Sequence, residues 1–248
     1  MKNVKSILAA TAITVGLGFA AQAQDTETRN LGSFSKVSAQ EGIEVTLKKG
    51  NTNSAVITAK RIDLDEVLLD VNGSTLKIHL EGNRHNNVNV EVEVTFSGDL
   101  ESIHSSSASS ITCNDWLKAS EFDVDVSSSG QIDIKVEADE ISVDGSSAGS
   151  IDMEVKADEI EVDMSSAAGI TLSGTANDLE VDGSSAGELR AFDLEAKDGD
   201  ISLGSGSTAK VSVSDNMRVR VSSGGSVRYK GSPRMDMSTS SGGTVKRG

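Results

Sequence analysis

Apolar and polar residues alternate with a period of two along most of this chain. Ile43, Val45 and Leu47 alternate with polar neighbours until Lys49-Gly50-Asn51 breaks the run. Residues 56–59 form a second short run. Leu69 and Val71, the pair Asn72-Gly73, then Leu76, Ile78 and Leu80 predict a hairpin, because Asn-Gly suits a tight primed turn. Val88, Val90, Val92, Val94 and Phe96 give the longest unbroken alternation. Side chains on a strand point to opposite faces in turn, so this period predicts half-buried strands. Only residues 63–69 fit a helical turn.

From residue 122 the alternation acquires a longer period. Ser127-Ser128-Ser129-Gly130 returns nineteen residues later as Ser146-Ser147-Ala148-Gly149, then as Ser165-Ser166-Ala167-Ala168 and Ser184-Ser185-Ala186-Gly187. Counting on by nineteen reaches Leu203-Gly204-Ser205-Gly206, a slipped copy, and Ser222-Ser223-Gly224-Gly225 falls back in register. Each unit enters a Ser/Gly corner on one short alternating strand and leaves on another. It closes on Ala-Asp-Glu (138–140, 157–159) or a variant such as Asn177-Asp178. A fixed period of this kind predicts a solenoid whose coils stack about 4.8 Å apart. The expected fold is all-β: a right-handed parallel β-helix with about 19 residues per coil and irregular N-terminal strands. Its inward columns are Ile141, Ile160 and Leu179; Val143, Val162 and Val181; and Ile151, Ile170 and Leu189. Small residues suit the corners, the glycine by accepting positive φ. Pro233 and the polar residues 238–248 are expected to blunt the C-terminal end, and the N-terminal strands to close the other end or form the first coils.

Several stretches also resemble a known family. Leu31-Gly32-Ser33-Phe34-Ser35-Lys36-Val37, Gly42-Ile43-Glu44-Val45-Thr46-Leu47, Lys49-Gly50 and Gly73-Ser74-Thr75-Leu76-Lys77-Ile78 are similar to the opening of the head GIN domain family. The strand over 88–96, Ile103 with Ser105-Ser106-Ser107-Ala108, and the later Ser-Ser-Ala-Gly turns continue the likeness. The resemblance implies a secreted bacterial auto-transporter adhesin, and the family brings no catalytic motif with it.

The first residues stand apart. Lys2 and Lys5 precede an apolar run over 7–21, and Ala21-Gln22-Ala23 has the small-x-small form of a cleavage site, so residues 1–23 read as a secretory signal peptide. The mature chain then begins at Gln24, with a loose segment over 24–30 and one solenoid domain over 31–248 (irregular strands 31–99, repeats 100–248). The expected location is periplasmic, cell-surface or secreted, with no integral membrane segment in the mature chain. Losing Lys2 and Lys5 takes the formal charge from −15 to −17. An acidic surface repels phosphate backbones, which argues against nucleic acid. Surface glycans or proteins remain as partners.

Candidate chemistry is sparse. Nucleophilic serine needs a base in reach, yet His79, His85 and His104 all precede the regular repeats and no Gly-x-Ser-x-Gly elbow occurs. These histidines have no metal-site spacing, and no cofactor is indicated. Cys113 is the only cysteine and reads as a small buried thiol. Asp125, Asp144, Asp163 and Asp182 share one position in successive units, as do Glu121, Glu140, Glu159 and Asp178. Calcium takes six to eight oxygen ligands, which makes Asp144, Asp163 and Asp182 calcium candidates. The competing reading is a solvated face beside a turn that favours Asp, and the absence of the Gly-Gly-x-Gly-x-Asp repeat favours it. The functional expectation is a non-catalytic adhesin-like binding module. The alternative is a carbohydrate-active β-helix enzyme, for which Trp116 and Tyr229 are the only Trp and Tyr available as sugar platforms.

Overall fold

A computed structural model describes residues 25–82 and 87–248. The signal-peptide reading over 1–23 and His85 lie outside the described residues. The strands are β1 (Asp25–Asn30), β2 (Lys36–Ala39), β3 (Glu44–Lys49), β4 (Ser54–Lys60), β5 (Val67–Asn72) and β6 (Thr75–Leu80). Then come β7 (Asn89–Phe96), β8 (Ser102–Ser105), β9 (Ser110–Lys118) and β10 (Glu121–Val126). Five long strands follow: β11 (Gln131–Gly145), β12 (Ser150–Met164), β13 (Gly169–Gly183), β14 (Glu188–Leu203) and β15 (Thr208–Val221). The last are β16 (Ser226–Lys230), β17 (Arg234–Thr239) and β18 (Thr244–Arg247). A single 3-10 turn, Leu64–Glu66, sits where the helical turn was expected.

The chain is a parallel β-solenoid of about eight turns. Gln131 pairs with Ser150 and Ser150 with Gly169, the nineteen-residue step seen in the sequence. Each long strand breaks its ladder at Ala-Asp-Glu or the matching residues, Ala176-Asn177-Asp178 in β13 and Ala196-Lys197-Asp198 in β14. In β11 the ladder skips Asp139, and the N–H groups of Asp139 and Glu140 both donate to Ser120 O, at 3.0 Å each. One coil therefore contributes to two ladders. The first runs β1–β4–β7–β3–β9 and on through the leading halves of β11 to β15, ending in β16 and β18. The second runs β5–β6–β2–β8–β10 through the trailing halves and ends in β17.

The expected inward columns are buried. Ile141, Ile160, Val162, Val181, Ile170 and Leu189 are fully enclosed, and Leu179, Val143 and Ile151 are nearly so. A coil this narrow encloses one aliphatic layer, so aromatics are dispensable. Each buried Val, Ile or Leu contributes roughly 1.5–3 kcal/mol.

Three expectations change. The left-handed residues of the corners are the second and the small third, not the fourth residue. Ser147 and Ala148 have φ of 49° and 60°, while Gly149 is not left-handed. The corner is a primed turn closed by Gly149 N–H donating to Ser146 O at 2.9 Å. A second bond lifts part of the strain: Ala148 N–H donates to Ser166 O of the next coil at 3.0 Å. In the next corner Ala168 holds the fourth place, and Ala167 before it carries the positive φ of 63°. The fourth place is small because it points inward. A Cβ at Gly149 would lie 2.7 Å from a methyl of Val126.

The slipped copy is also resolved. Its corner is Gly204–Ser207, with Ser205 at φ 49° and Ser207 N–H donating to Gly204 O at 3.0 Å. The extra residue is absorbed where β14 bulges against β13, between Arg190 and Asp193.

At the N-terminus, residues 25–30 are not loose. They form β1, antiparallel to β4, and Arg29 fastens them by donating to Val67 O at 2.5 Å and Leu64 O at 2.8 Å. The strands after it do both jobs expected of them. β2 and β3 flank a corner with Glu41 and Gly42 left-handed and form a true coil, lying between β6–β7 and β8–β9. Antiparallel β1, β4 and β5 close that end.

At the C-terminus, residues 234–239 and 244–247 do not blunt the stack; they continue it as β17 and β18. The corner Ser240–Gly243 repeats the serine phrase closely enough to fold like its predecessors, with Ser241 and Gly242 left-handed.

Candidate functional site

Register places the acidic positions side by side on the outer side of the second ladder. Glu140, Glu159, Asp178 and Asp198 follow Glu121 in one column. Asp125, Asp144, Asp163 and Asp182 form another. Between them run Asp123, Glu161, Glu180 and Asp200, with Ser142 in place of one carboxylate. Alternation forces this arrangement: the apolar partners face in, so every second residue faces out.

What makes the face unusual is how little opposes its charge. On the first ladder, several outward carboxylates have cations on neighbouring rungs. Lys118 meets Glu137 and Lys135 meets Glu154, each at 2.9 Å, and Lys210 meets Glu188 at 3.6 Å. On the second ladder, cations stand only at the margins. His104 lies 3.4 Å from Asp125 at one end. Arg218 and Arg220 hold Asp200 at 3.0 and 3.2 Å at the other. Among the described residues, Asp144, Glu161, Asp163 and Glu180 between those margins have no ion pair.

The consequence is electrostatic strain. Partial burial, then the charges of Asp163, Asp125 and Asp123, hold the Asp144 carboxyl above its ordinary range. Burial and Asp163 do the same for Asp182, with Arg220 opposing. Burial and the carboxylates of Asp163, Glu180, Asp144 and Glu140 raise Glu161.

Two open grooves flank the middle column. One of about 560 Å³ runs beside Asp125, Asp144, Asp163 and Asp182 and the corner serines Ser146, Ser165 and Ser184. The other, about 570 Å³, has a floor of Leu179, Gly199 and Met217 and walls that include Asp178, Asp198, Asp200, Arg218 and Arg234. On its floor Gly199 stands in the column Ile141, Ile160, Leu179, Met217, and a Cβ there would lie 3.1 Å from a methyl of Val213. Periodicity alone did not reveal this glycine. Its signal in the chain is the twenty-residue spacing from Gly187 to Ser207, with a glycine where the earlier coils have Phe122, Ile141, Ile160 and Leu179.

The remaining candidates are dispersed. Among the described residues, no three His, Cys, Asp or Glu side chains converge to hold a metal ion. His79 bonds Asp70 at 3.0 Å, and its strand β6 is separated from β8, which carries His104, by β2. No serine hydroxyl among the described residues is hydrogen-bonded to a histidine. Cys113 is buried and its thiol is pushed up to about 11 by desolvation, so it is no nucleophile at neutral pH. Lys156 covers the Trp116 ring at 4.4 Å, and Tyr229 packs against the core, so neither is an open sugar platform.

The sequence profile of the family described as "Putative auto-transporter adhesin, head GIN domain" matches residues 33–152 and again 145–233. The chain belongs to the head GIN domain family. No curated protein matches it. Three crystal structures share the fold of this head GIN protein. One described as a "putative adhesin" from Parabacteroides merdae has a TM-score of 0.82 at 20% identity, covering 91% of this chain and 96% of that one. Another so described, from Parabacteroides distasonis, has a TM-score of 0.85 at 18% identity, covering 92% and 98%. A third, from the same species and described as a "putative lipid binding protein", has a TM-score of 0.75 at 17% identity, covering 91% and 96%. No helix among the described residues is long and apolar enough to cross a membrane.

The charged face makes a pH prediction. A carboxyl whose folded-state pKa is raised holds its proton more tightly in the folded chain. Its stabilising contribution is complete below the unfolded value, about 4, and is lost as pH rises through the folded value. Glu27 and Glu137 are held low, chiefly by hydrogen bonds from Arg29 and Lys118, and act only below that window. Melting temperature should therefore rise as pH falls from 7 toward 5. Asp144→Asn/Asp163→Asn/Asp182→Asn should raise it at pH 7 and flatten the slope. Calcium should add nothing beyond a monovalent salt of equal ionic strength. A melting temperature that falls over this range sinks the strain argument, and a calcium-specific shift lost in the triple variant makes the column a metal site.

Proposed function

We propose that this head GIN protein is an exported, non-catalytic binding module of the adhesin type, and that its binding surface is the acidic outer side of the second ladder. The uncompensated carboxylates carry this reading: a partner with a basic surface relieves their repulsion on binding, so the site favours cationic proteins over acidic polymers. Arrays of matrix proteins and glycans probed with the chain lacking residues 1–23 test it. Binding to basic partners is expected, weakened by salt and by the triple Asp→Asn variant. Capture that ignores both removes the acidic face from the proposal.

A second reading, a polysaccharide-degrading enzyme, is favoured by the Gly199 groove, which combines carboxylates with Arg218 and Arg234. Two features weigh against it. Arg218 is engaged by Asp200, which raises its pKa further from any role as a base. No aromatic side chain lines the groove. Release of reducing ends from a polysaccharide panel, abolished by Arg234→Ala, decides for the enzyme.

A further inference from the structure

The two ends of the solenoid differ. At the N-terminal end, antiparallel β1, β4 and β5 close the ladders, and no large apolar side chain is exposed there among the described residues. At the C-terminal end, β17 pairs with β15 and, among the described residues, with no strand on its other side. Its free edge leaves backbone groups open to another strand. Its inward residues Met235 and Met237 continue the columns of buried Met217 and Val219, yet they are 37% and 56% exposed. They are the only large apolar side chains so exposed among the described residues. They form a core layer with one side uncovered.

Charge separates this end from the rest. Residues 121–200 contain 22 Asp/Glu and 4 Lys/Arg, a net −18, whereas residues 201–248 contain 2 Asp/Glu and 8 Lys/Arg, a net +6. Arg218 and Arg220 of β15 already grip Asp200 on the rung beneath them. On β17, Arg234 makes no ion pair among the described residues. It ends the outward column that begins Glu121, Glu140, Glu159.

We propose that β17 takes up an extended peptide segment of a partner protein, with alternate apolar and acidic residues, as one further strand of the second ladder. Main-chain bonds supply the pairing and alternate side chains the selectivity. Apolar residues cover Met235 and Met237, and an acidic residue lies beside Arg234. A second copy of this chain fits less well. Its C-terminal end carries the same positive charge. Its N-terminal end is stepped: the first ladder extends two strands, β4 and β1, beyond the β6–β7 rung, and the second only one, β5. The first ladder also projects at the C-terminal end, through β18. In an end-to-end stack β18 meets β1 before β17 reaches β5.

The probe is a labelled peptide with the sequence of residues 138–145, Ala-Asp-Glu-Ile-Ser-Val-Asp-Gly, which stacks in this register inside the solenoid. Fluorescence anisotropy with the chain lacking residues 1–23 should show saturable binding at concentrations up to about 1 mM. Met235→Ser/Met237→Ser and Arg234→Glu should each weaken it at least about tenfold. Both alter exposed edge residues, and circular dichroism confirms that the variants fold. A peptide with Lys at its three acidic positions should bind Arg234→Glu better than the parent chain. Absence of saturable binding, or equal binding by the variants, overturns the proposal. So does self-association in sedimentation velocity that is lost in the Met variant, which makes a second copy the occupant. Met-dependent binding to phosphatidylglycerol vesicles without peptide binding overturns it in favour of a lipid surface. None of these readouts involves the triple Asp→Asn variant, so this edge and the acidic face stand or fall separately.

Discussion

Val162→Asp abolishes the folded state of the central coils. Val162 is fully enclosed, with Val143 and Val181 as its ladder partners on either side. A carboxylate there loses its hydration and finds only aliphatic neighbours, at a cost of several kcal/mol. That is comparable with the whole stability of a domain, about 5–15 kcal/mol. The coils beyond it lose their stacking surface as well, because each coil buries its apolar side chains against its neighbours. Circular dichroism at 25 °C should show loss of strand signal or a sharply lowered melting point. Glu161→Gln, one residue away, replaces an outward carboxyl whose pKa is raised by burial and then by Asp163, Glu180, Asp144 and Glu140. It should change stability by less than about 0.5 kcal/mol, in the favourable direction. Similar losses at the two positions would mean that the inward and outward sides are misassigned.

Gly149→Val is the second large effect, about 3 kcal/mol. Its cause is space rather than backbone angle. The new Cβ meets two methyls of Val126 at 2.7 and 2.9 Å and Ser146 O at 3.1 Å, and the coil cannot retreat without breaking its ladder on both sides. Two neighbouring substitutions separate the causes. Gly169→Val points into open space and should fall within about 0.5 kcal/mol. Ala148→Gly relieves a left-handed alanine while loosening the unfolded chain, and the two terms offset to within about 1 kcal/mol. Chemical denaturation of the three variants checks the order. Gly149→Val with an unchanged midpoint refutes the crowded corner.

The coils themselves were legible in the chain because two periods, two residues and nineteen, leave few ways to bury Ile141, Val143, Ile151 and their counterparts. In a parallel stack, sequence repeat becomes spatial register. That is why the columns of Asp144, Asp163 and Asp182 were visible before any coordinates. The serine corners were legible as turns but not in their angles. Glycine marks conformational freedom in isolation, whereas here the stack holds Ser147 and Ala148 left-handed through the bond to Ser166 O and keeps Gly149 small by crowding.

Where the repeat fails, tertiary structure decided. Residues 25–30 offer no apolar anchor, yet they form β1 because β4 presents an open edge and Arg29 reaches the carbonyls of Leu64 and Val67. The extra residue of β14 became a bulge against β13, and Val213 crowds the place where Gly199 would carry a side chain. Whether a carboxylate column is balanced depends on which cations lie one rung away. The first ladder places Lys118 beside Glu137, and the second gives Asp163 only further carboxylates. The exposure of Met235 and Met237 belongs to the same class. Their alternation marks them as core residues, but whether a core residue is covered depends on a neighbouring strand, and no pattern within a residue's own strand specifies its neighbour.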